Sequence, residues 1–286
     1  CVAYFELGLP KALADNVTTT VTVLNTPPQW TVPAEEQTES STSTPTNSYD
    51  ILTFDATAVD SNNDPYYLLI CKSSSTPTAN ISAAPSCGGG ISDQWAVSPS
   101  TASGAEALAA TTTKETFPFN AESNNWFAYI CDANVSLPQC NPIMYNGSSN
   151  TVSPFVINHP PVFAAIATSS AVLPGGSVTF TSTAFDNDTI RGGDTVRLTV
   201  CRTAVWTATT TCVGMAWATS TLAASDPATS TVIVIPTQDR YYDAYVFVSD
   251  QSNLRATSTT HGSNAMLIVA NAPPSVSPAT VSVVNP

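Results

Sequence analysis

Two groups of acidic and amide residues have the spacing of oxygen ligands for a metal ion. In the first group, Asp60, Asn62 and Asp64, the oxygen-bearing side chains alternate with other residues. Calcium-binding loops use the same alternation. The residues that follow do not fit an EF-hand, because Pro65 and Cys71 stand where that motif has its glycine and its last glutamate.

A second group occupies the corresponding turn later in the chain and consists of Asp186, Asp188 and Asp194. Either group could bind Ca²⁺ through carboxylate and amide oxygens. Either could equally be an Asx-rich turn that is held by its own hydrogen bonds and needs no metal. Both interpretations stay open at this point, and calcium is the one cofactor that the sequence suggests.

Catalytic chemistry has little support in this sequence. The chain has two histidines, His159 and His261, and both stand in linker or loop surroundings where we expect them to be exposed to solvent. The sequence contains no G-x-S-x-G, no H-E-x-x-H and no phosphate-binding loop. We therefore assign no catalytic residue and expect a protein that is not an enzyme.

Six of the seven cysteines form pairs that are close in sequence. Local pairs at strand–loop junctions are typical of disulfides, and no C-x-x-C spacing suggests zinc. The alternative is buried free thiols in a cytosolic protein, whereas disulfides imply an oxidising, extracellular or cell-surface location. The expected disulfides are Cys71–Cys87, Cys131–Cys140 and Cys201–Cys212, with Cys1 left over.

The phrase Asn-x-Pro-Pro occurs three times, each time after a short apolar stretch typical of a β-strand. We call residues 25–28, 158–161 and 271–274 the first, second and third linker. The spacing between them suits one β-sandwich per interval. Because proline fixes the backbone angle φ, such linkers restrict the relative orientations of neighbouring domains.

Two stretches between the linkers share landmarks in the same order. Each has a Phe-x-x-Thr-Ala strand, an acidic turn, a strand that ends in cysteine, a Trp-Ala phrase and a last strand that ends in aspartate. We interpret the stretches as diverged copies of one domain. Trp95 and Trp217, from the Trp-Ala phrases, are expected to pack in the two cores.

Short strand patterns rich in Thr, Val and Tyr dominate the chain, and 22 prolines disfavour helices. The one helix-like patch is the short segment 102–110. Regularly spaced short strands predict an all-β protein made of antiparallel sandwiches. The expected strands are residues 18–24, 49–59, 66–72, 126–132, 177–184, 195–202, 231–235 and 244–249.

The linkers and the strand and turn over residues 54–60 resemble tandem Ig-like, PKD-like or cadherin-like repeats of large secreted bacterial surface proteins. Residues 66–72, 126–132 and 153–161 are most similar to repeats from candidate-phyla, Patescibacteria-like bacteria. The resemblance covers about 26–286, most strongly 49–161. It implies tandem Ig-like antiparallel β-sandwiches joined by Asn-x-Pro-Pro linkers. The second copy departs from it by lacking equivalents of Cys131 and Cys140.

The resulting domain division has two whole and two partial domains. Residues 26–158 and 159–271 are each predicted to be an Ig-like domain. Residues 1–25 are read as the C-terminal strands of a preceding domain, and 272–286 as the first strand of a following one. An isolated strand or hairpin is marginally stable at best. We therefore expect neighbouring copies or further repeats of the same protein as partners.

Composition narrows the function. A net charge of −13 argues against nucleic acid and anionic membrane surfaces, and no stretch approaches the roughly 18 apolar residues of a spanning helix. The leading hypothesis is a structural segment of an extracellular filament or cell-surface stalk. The alternative is an adhesin array that binds a glycan or a host or partner-cell protein. A third hypothesis is an accessory module of a secreted enzyme.

Overall fold

The chain folds almost entirely into short β-strands. The computed structural model describes residues 24–112, 121–147, 153–168, 175–190, 194–207, 212–224, 228–233, 240–256, 265–270 and 274. Across these residues the structure is all-β, with a single 3₁₀ turn over Ile91–Asp93 and no α-helix. The third linker lies outside the described residues except for Pro274, and both predicted partial domains lie almost wholly outside them.

Nine strands lie in residues 29–158. They are β1 (Gln29–Glu36), β2 (Thr46–Asn47), β3 (Ile51–Val59), β4 (Tyr66–Cys71), β5 (Gln94–Val97), β6 (Glu106–Thr112), β7 (Ser123–Asn124), β8 (Phe127–Asp132) and β9 (Phe155–Asn158). The antiparallel sheet β1-β3-β6 and the antiparallel sheet β5-β4-β8 form the body of this unit. A small third sheet, β2-β9-β7, includes a parallel pair between β2 and β9.

The first core forms because β3 alternates between buried and more exposed residues. Phe54 is fully buried and lies 4.9 Å, centroid to centroid, from Trp126 and 6.2 Å from Phe155. A strand with this period of two turns one row of side chains towards the opposite sheet. The buried cluster gathers residues between Ala34 and Ile157, and Trp126 is its largest fully buried side chain.

Eight strands lie in residues 162–270. They are β10 (Val162–Thr168), β11 (Ser177–Phe185), β12 (Thr195–Cys201), β13 (Ala216–Thr219), β14 (Ala223–Ala224), β15 (Ala228–Ile233), β16 (Arg240–Asp250) and β17 (Ala265–Ala270). One sheet has the order β10-β11-β15 and the other the order β13-β12-β16-β17, with β14 also paired to β12. A second buried cluster extends from Phe163 to Ala256.

Both units have the strand order of an immunoglobulin-like sandwich. In that fold, strands A, B and E form one sheet, and C, F and G form the other. Here β1-β3-β6 and β10-β11-β15 correspond to A-B-E, whereas β5-β4-β8 and β13-β12-β16-β17 correspond to C′-C-F and C′-C-F-G. The predicted all-β, Ig-like fold class is confirmed.

The three expected cysteine pairs are joined in the structure. The Sγ–Sγ distance is 2.00 Å for Cys71–Cys87 and for Cys131–Cys140, and 1.99 Å for Cys201–Cys212. The first and third bonds tie the end of the C strand to the loop before C′ in each unit. The second ties the F strand to the segment after it. Cys1 lies outside the described residues.

Two details differ from the sequence-based expectations. The helix-like pattern of residues 102–110 does not form a helix, because Glu106–Thr112 is a β-strand that pairs with β3. In this strand Ala107 and Ala109 are buried, whereas Leu108 is exposed. Trp95 and Trp217 pack against the two cores as expected, but they lie at the edges and are only half-buried. A cation covers each indole: Lys72 Nζ lies 4.6 Å from the Trp95 ring centroid and Arg202 Cζ lies 4.1 Å from that of Trp217.

Candidate metal centre

The second linker begins with an asparagine that contacts both units. Asn158 is the last residue of β9 and is 1% exposed. Its side-chain NH₂ donates one hydrogen bond of 2.7 Å to the carboxylate of Asp250 and one of 3.0 Å to the side-chain oxygen of Asn47. Because Asn47 belongs to the first unit and Asp250 to the second, this amide bridges the two sandwiches.

Three aspartates converge beside this asparagine. Asp186 follows β11, Asp194 precedes β12, and Asp250 ends β16, so the B–C loop and the F strand bring them to one end of the sandwich. One carboxylate oxygen from each lies within 4.8 Å of the other two. This is the one set of three potential metal ligands that comes so close among the residues with described side chains.

Burial and repulsion between neighbouring carboxylates weaken the acidity of Asp186 and Asp250. Desolvation raises the pKa of Asp186 to about 7, and the charges of Asp188, Asp250 and Asp194 add to the shift. Burial also raises the pKa of Asp250 to about 6, against the opposing hydrogen bonds from Asn158 and Leu254. Among the described residues, the charges acting on these two carboxyl groups come from other aspartates, so the site has an excess of negative charge.

Oδ1 of Asn158 and Oδ2 of Asp186 are buried oxygen atoms at this place that have no hydrogen-bond donor among the described residues. Burying an oxygen without a partner costs free energy, and such atoms are rare in folded proteins. A cation bound by oxygen ligands would satisfy both, and carboxylates with an amide oxygen are the donor set that Ca²⁺ prefers. The residues present therefore fit a hard divalent ion.

Asp188, which the sequence groups with Asp186 and Asp194, is not one of the three converging carboxylates. Its Oδ2 accepts a 2.6 Å hydrogen bond from the backbone N–H of His159, and its Oδ1 lies 2.7 Å from Nδ1 of the same residue. His159 is only 8% exposed, so the expectation that it is exposed to solvent is wrong. The physical reason is that the linker docks on the acidic turn rather than passing it in solvent.

In the first unit, the predicted residues Asp60, Asn62 and Asp64 mainly form a hydrogen-bonded turn. Oδ1 of Asp60 accepts backbone hydrogen bonds from Asn62 at 2.7 Å and Asp64 at 3.4 Å. Oδ1 of Asn62 accepts the backbone N–H of Thr26 at 3.0 Å, just as Asp188 accepts that of His159. The side-chain NH₂ of Asn134 donates to Asp64 at 2.8 Å.

The first linker nevertheless repeats the arrangement of the second. Asn25 donates a 2.6 Å hydrogen bond to Asp132, which ends β8 as Asp250 ends β16. Oδ1 of Asn25 and Oδ2 of Asp60 are buried atoms without a partner among the described residues. Among the described residues of the first unit, no three carboxylates come within 4.8 Å of one another. The equivalent pairs are Asn25 and Asn158, Asp60 and Asp186, Asn62 and Asp188, Asp64 and Asp194, and Asp132 and Asp250.

Similarity to known proteins is weak. No family model matches the chain, and no curated protein matches it in sequence. Tandem Ig repeats of Dlar are 8% identical, with 86% of this chain and 99% of that chain covered and a TM-score of 0.24. The mouse nectin-like molecule 4 ectodomain is 9% identical (88% and 67% covered, TM-score 0.23). The Yersinia pseudotuberculosis adhesin InvE is 12% identical (83% and 60% covered, TM-score 0.25).

Likenesses this weak carry no argument about this chain, and its fold class rests on the strand order given above. The described part of the chain also contains no helix with the length and apolarity that a membrane crossing requires. The class defined by fold and site is thus a tandem of Ig-like sandwiches whose linker is anchored by hydrogen bonds to the acidic end of the sandwich that follows it.

Proposed function

We propose that the chain is a structural segment of an extracellular filament or cell-surface stalk. In this proposal, residues 26–158 and 159–271 are two Ig-like domains held at a defined angle by the second linker. The observation that carries it is the docking of that linker: Asn158 contacts both units, and Asp188 holds the backbone of His159. A flexible tether would not need buried, directional contacts on both sides.

Three further features support this proposal. Two separate buried clusters lie on either side of the linker, and the described strands of one unit form no ladder with those of the other. A carboxylate of the first unit, Glu122, accepts backbone N–H groups of Thr189 and Ile190 in the second. Three disulfides suit an oxidising, extracellular environment. The proposal assigns no catalytic step to any residue.

Immunogold labelling of the cells that produce this chain tests the proposal. Antibodies raised against the folded chain are expected to decorate extended structures outside the cell, at regular intervals if the repeats continue. Labelling confined to the cell interior would contradict the extracellular proposal. Labelling of a dispersed secreted protein without filaments or stalks would contradict the structural one.

Adhesion is the second candidate, and one surface feature favours it. A cavity of about 820 Å³ is lined by residues between Gln37 and Thr53. Tyr49 and Ile51 at this cavity are 57% and 67% exposed, and Glu39 and Asp50 also line it. An exposed aromatic ring with nearby carboxylates is suited to a sugar, because the ring covers C–H groups while the carboxylates accept hydroxyl hydrogen bonds.

Binding to an array of glycans separates the two candidates. If the cavity is an adhesive site, Tyr49→Ala is expected to abolish binding, whereas Ile91→Ala, at a more exposed position away from the cavity, leaves it unchanged. An array on which the unmodified chain binds nothing would leave the structural proposal as the better one.

A further inference from the structure

We propose that a divalent cation of the calcium type binds where the second linker meets the second domain. Its ligands are carboxylate oxygens of Asp186, Asp194 and Asp250 together with Oδ1 of Asn158. Because Asn158 belongs to the linker, the bound ion fixes the linker to the domain. The inference deepens the proposed function, on which it rests for the tandem arrangement, by adding a chemical control of the angle between domains.

The size of the carboxylate group suits this ion. The three carboxylate oxygens lie within 4.8 Å of one another. Calcium–oxygen distances of 2.3–2.6 Å allow ligands on opposite sides of the ion to be about 5 Å apart. The group can therefore close around one calcium ion with little movement of the backbone.

The second, independent observation is the linker asparagine. Asn158 is 1% exposed, and its carboxamide lies against the group because its NH₂ touches Asp250. That contact and the one to Asn47 fix the NH₂, which leaves Oδ1 as a buried acceptor without a donor. A neutral oxygen that completes a set of carboxylates is a common calcium ligand. The linker thus supplies an oxygen that hydrogen bonding within the described residues does not use.

The chemistry of the set selects the class of ion. All donors are oxygens, which excludes a preference for soft metals that bind thiolate or imidazole. Magnesium requires near-ideal octahedral geometry at 2.0–2.1 Å and retains several waters, whereas calcium accepts irregular sets of six to eight oxygens. Three carboxylates whose oxygens lie within 4.8 Å of one another repel one another when they are ionised. An ion of charge +2 turns that repulsion into attraction.

Asp186→Asn is the most informative variant. Its Oδ2 has no donor among the described residues, while its Oδ1 accepts the backbone N–H of Asp188, a bond that an asparagine oxygen can still accept. The variant should therefore fold, lose one charge of the ion site and relieve the repulsion in the metal-free protein. The matched control is Asp243→Asn, which changes an exposed aspartate on β16, the strand that ends at Asp250.

Calorimetric unfolding of the full chain with EDTA and with calcium provides the readout. With calcium at about 100 times its Kd, the Tm of the second domain is expected to rise by roughly 10 °C, and magnesium should give a smaller shift. Asp243→Asn keeps the calcium shift. Asp186→Asn loses most of it and has a higher Tm than the unmodified chain in EDTA. A purely structural role of Asp186 does not predict these opposite changes.

Hydrogen exchange read by mass spectrometry then locates the ion. Calcium is expected to slow exchange in peptides that cover residues 155–161, 186–190 and 250–256, and Asp186→Asn should abolish this. The absence of any calcium-dependent Tm shift overturns the site. A shift without added protection in the linker peptide supports an ion but overturns its role in fixing the linker. Neither result affects the tandem arrangement, which the immunogold labelling tests separately.

Discussion

The asparagine of each linker is the residue that ties the linker to the domain that follows. The prolines restrict φ but make no directional contact through their side chains. Asn158 instead donates to Asp250 and Asn47, and Asn25 donates to Asp132 and to the backbone oxygen of Leu137 at 2.9 Å. The prolines therefore limit the choice of linker conformations, and the asparagine selects one.

Asn158→Ala is expected to destabilise the second domain by about 1–3 kcal/mol, because it leaves the buried carboxylate of Asp250 without one of its donors. Equilibrium unfolding in urea measures the change. Asn187→Ala serves as the control, since Asn187 is exposed on the acidic turn between Asp186 and Asp188. Equal effects of the two substitutions would show that the linker contact contributes nothing.

Glu36 provides a pH-dependent prediction in the first core. Burial raises its pKa, although hydrogen bonds from the backbone and side chain of Ser40 oppose the shift. A raised pKa in the folded state means that the protonated form folds more stably. The stability that protonated Glu36 contributes is therefore fully present below the ordinary pKa of glutamate, and it is lost as the pH rises through the pKa of Glu36 in the folded state.

Glu36→Gln should therefore unfold at a higher temperature than the unmodified chain at pH 7, and the difference should shrink as the pH falls below 4.5, the ordinary value for glutamate. Thermal unfolding across this pH range checks the sign. Glu106→Gln, at an exposed position on β6, is the comparison. A stabilisation that stays constant with pH would point to packing rather than to titration.

The sequence predicts residue roles at this site only in part. The spacing of Asp186 and Asp194 predicts that they lie in one group, but it gives no hint of Asp250, which lies more than fifty residues later and reaches the group only through the pairing of β12 with β16. A usable signal did exist: both domain copies end their last landmark strand in aspartate. His159 was misjudged because its sequence surroundings give no hint that the linker docks.

Among the secondary-structure elements, β3 and β11 carry the two cores in the same way. Phe54 and Phe180 stand at equivalent positions of the B strand and are both fully buried. Each lies two residues from another buried position on the same face, so the strand period alone places it inside. These strands were predictable because alternation sets which residues face the core and which face outward.

Phe54→Ala is expected to lower the free energy of unfolding by about 3–5 kcal/mol, since it removes a ring from a closed core and leaves a cavity. Phe185→Ala is the matched control, because Phe185 ends β11 and is 38% exposed. Its cost should be below about 1 kcal/mol. Chemical denaturation of both variants gives the comparison, and similar losses would contradict the assignment of Phe54 to the core.

The segment now seen as β6 shows why element prediction can fail. Its alanines favour a helix by intrinsic propensity. Seven register pairs with β3, from Ile51↔Thr112 to Thr57↔Glu106, override that preference. Small side chains at Ala107 and Ala109 suit a strand that packs beneath large ones on the facing sheet. Tertiary pairing of this kind cannot be read from a local pattern.

For the whole molecule, the contact of Glu122 with the second unit is the clearest target outside the linker. Its carboxylate accepts the backbone N–H of Ile190 at 2.7 Å and also that of Thr189. Glu122→Ala should widen the distribution of inter-domain distances in small-angle X-ray scattering of the full chain. Stability should change by less than about 1 kcal/mol, because a partly exposed charge contact contributes little.

Glu106→Ala, an exposed glutamate on β6, is the control for this measurement. It should leave the scattering curve unchanged. If Glu122→Ala gives the same curve as the unmodified chain, the linker alone sets the domain angle. The fold class could be predicted from regularly spaced short strands, but this angle could not, because single polar contacts set it.

The pairing of β10 with β11 and of β16 with β17 has a consequence for a chain pulled from both ends. Tension enters the second domain through β10 and leaves through β17. Each of these strands is joined to its neighbour by six antiparallel register pairs. Ladder hydrogen bonds run across the strands, so a pull along a strand shears many of them together instead of opening them one by one. The domain should therefore hold its length under load and then yield abruptly.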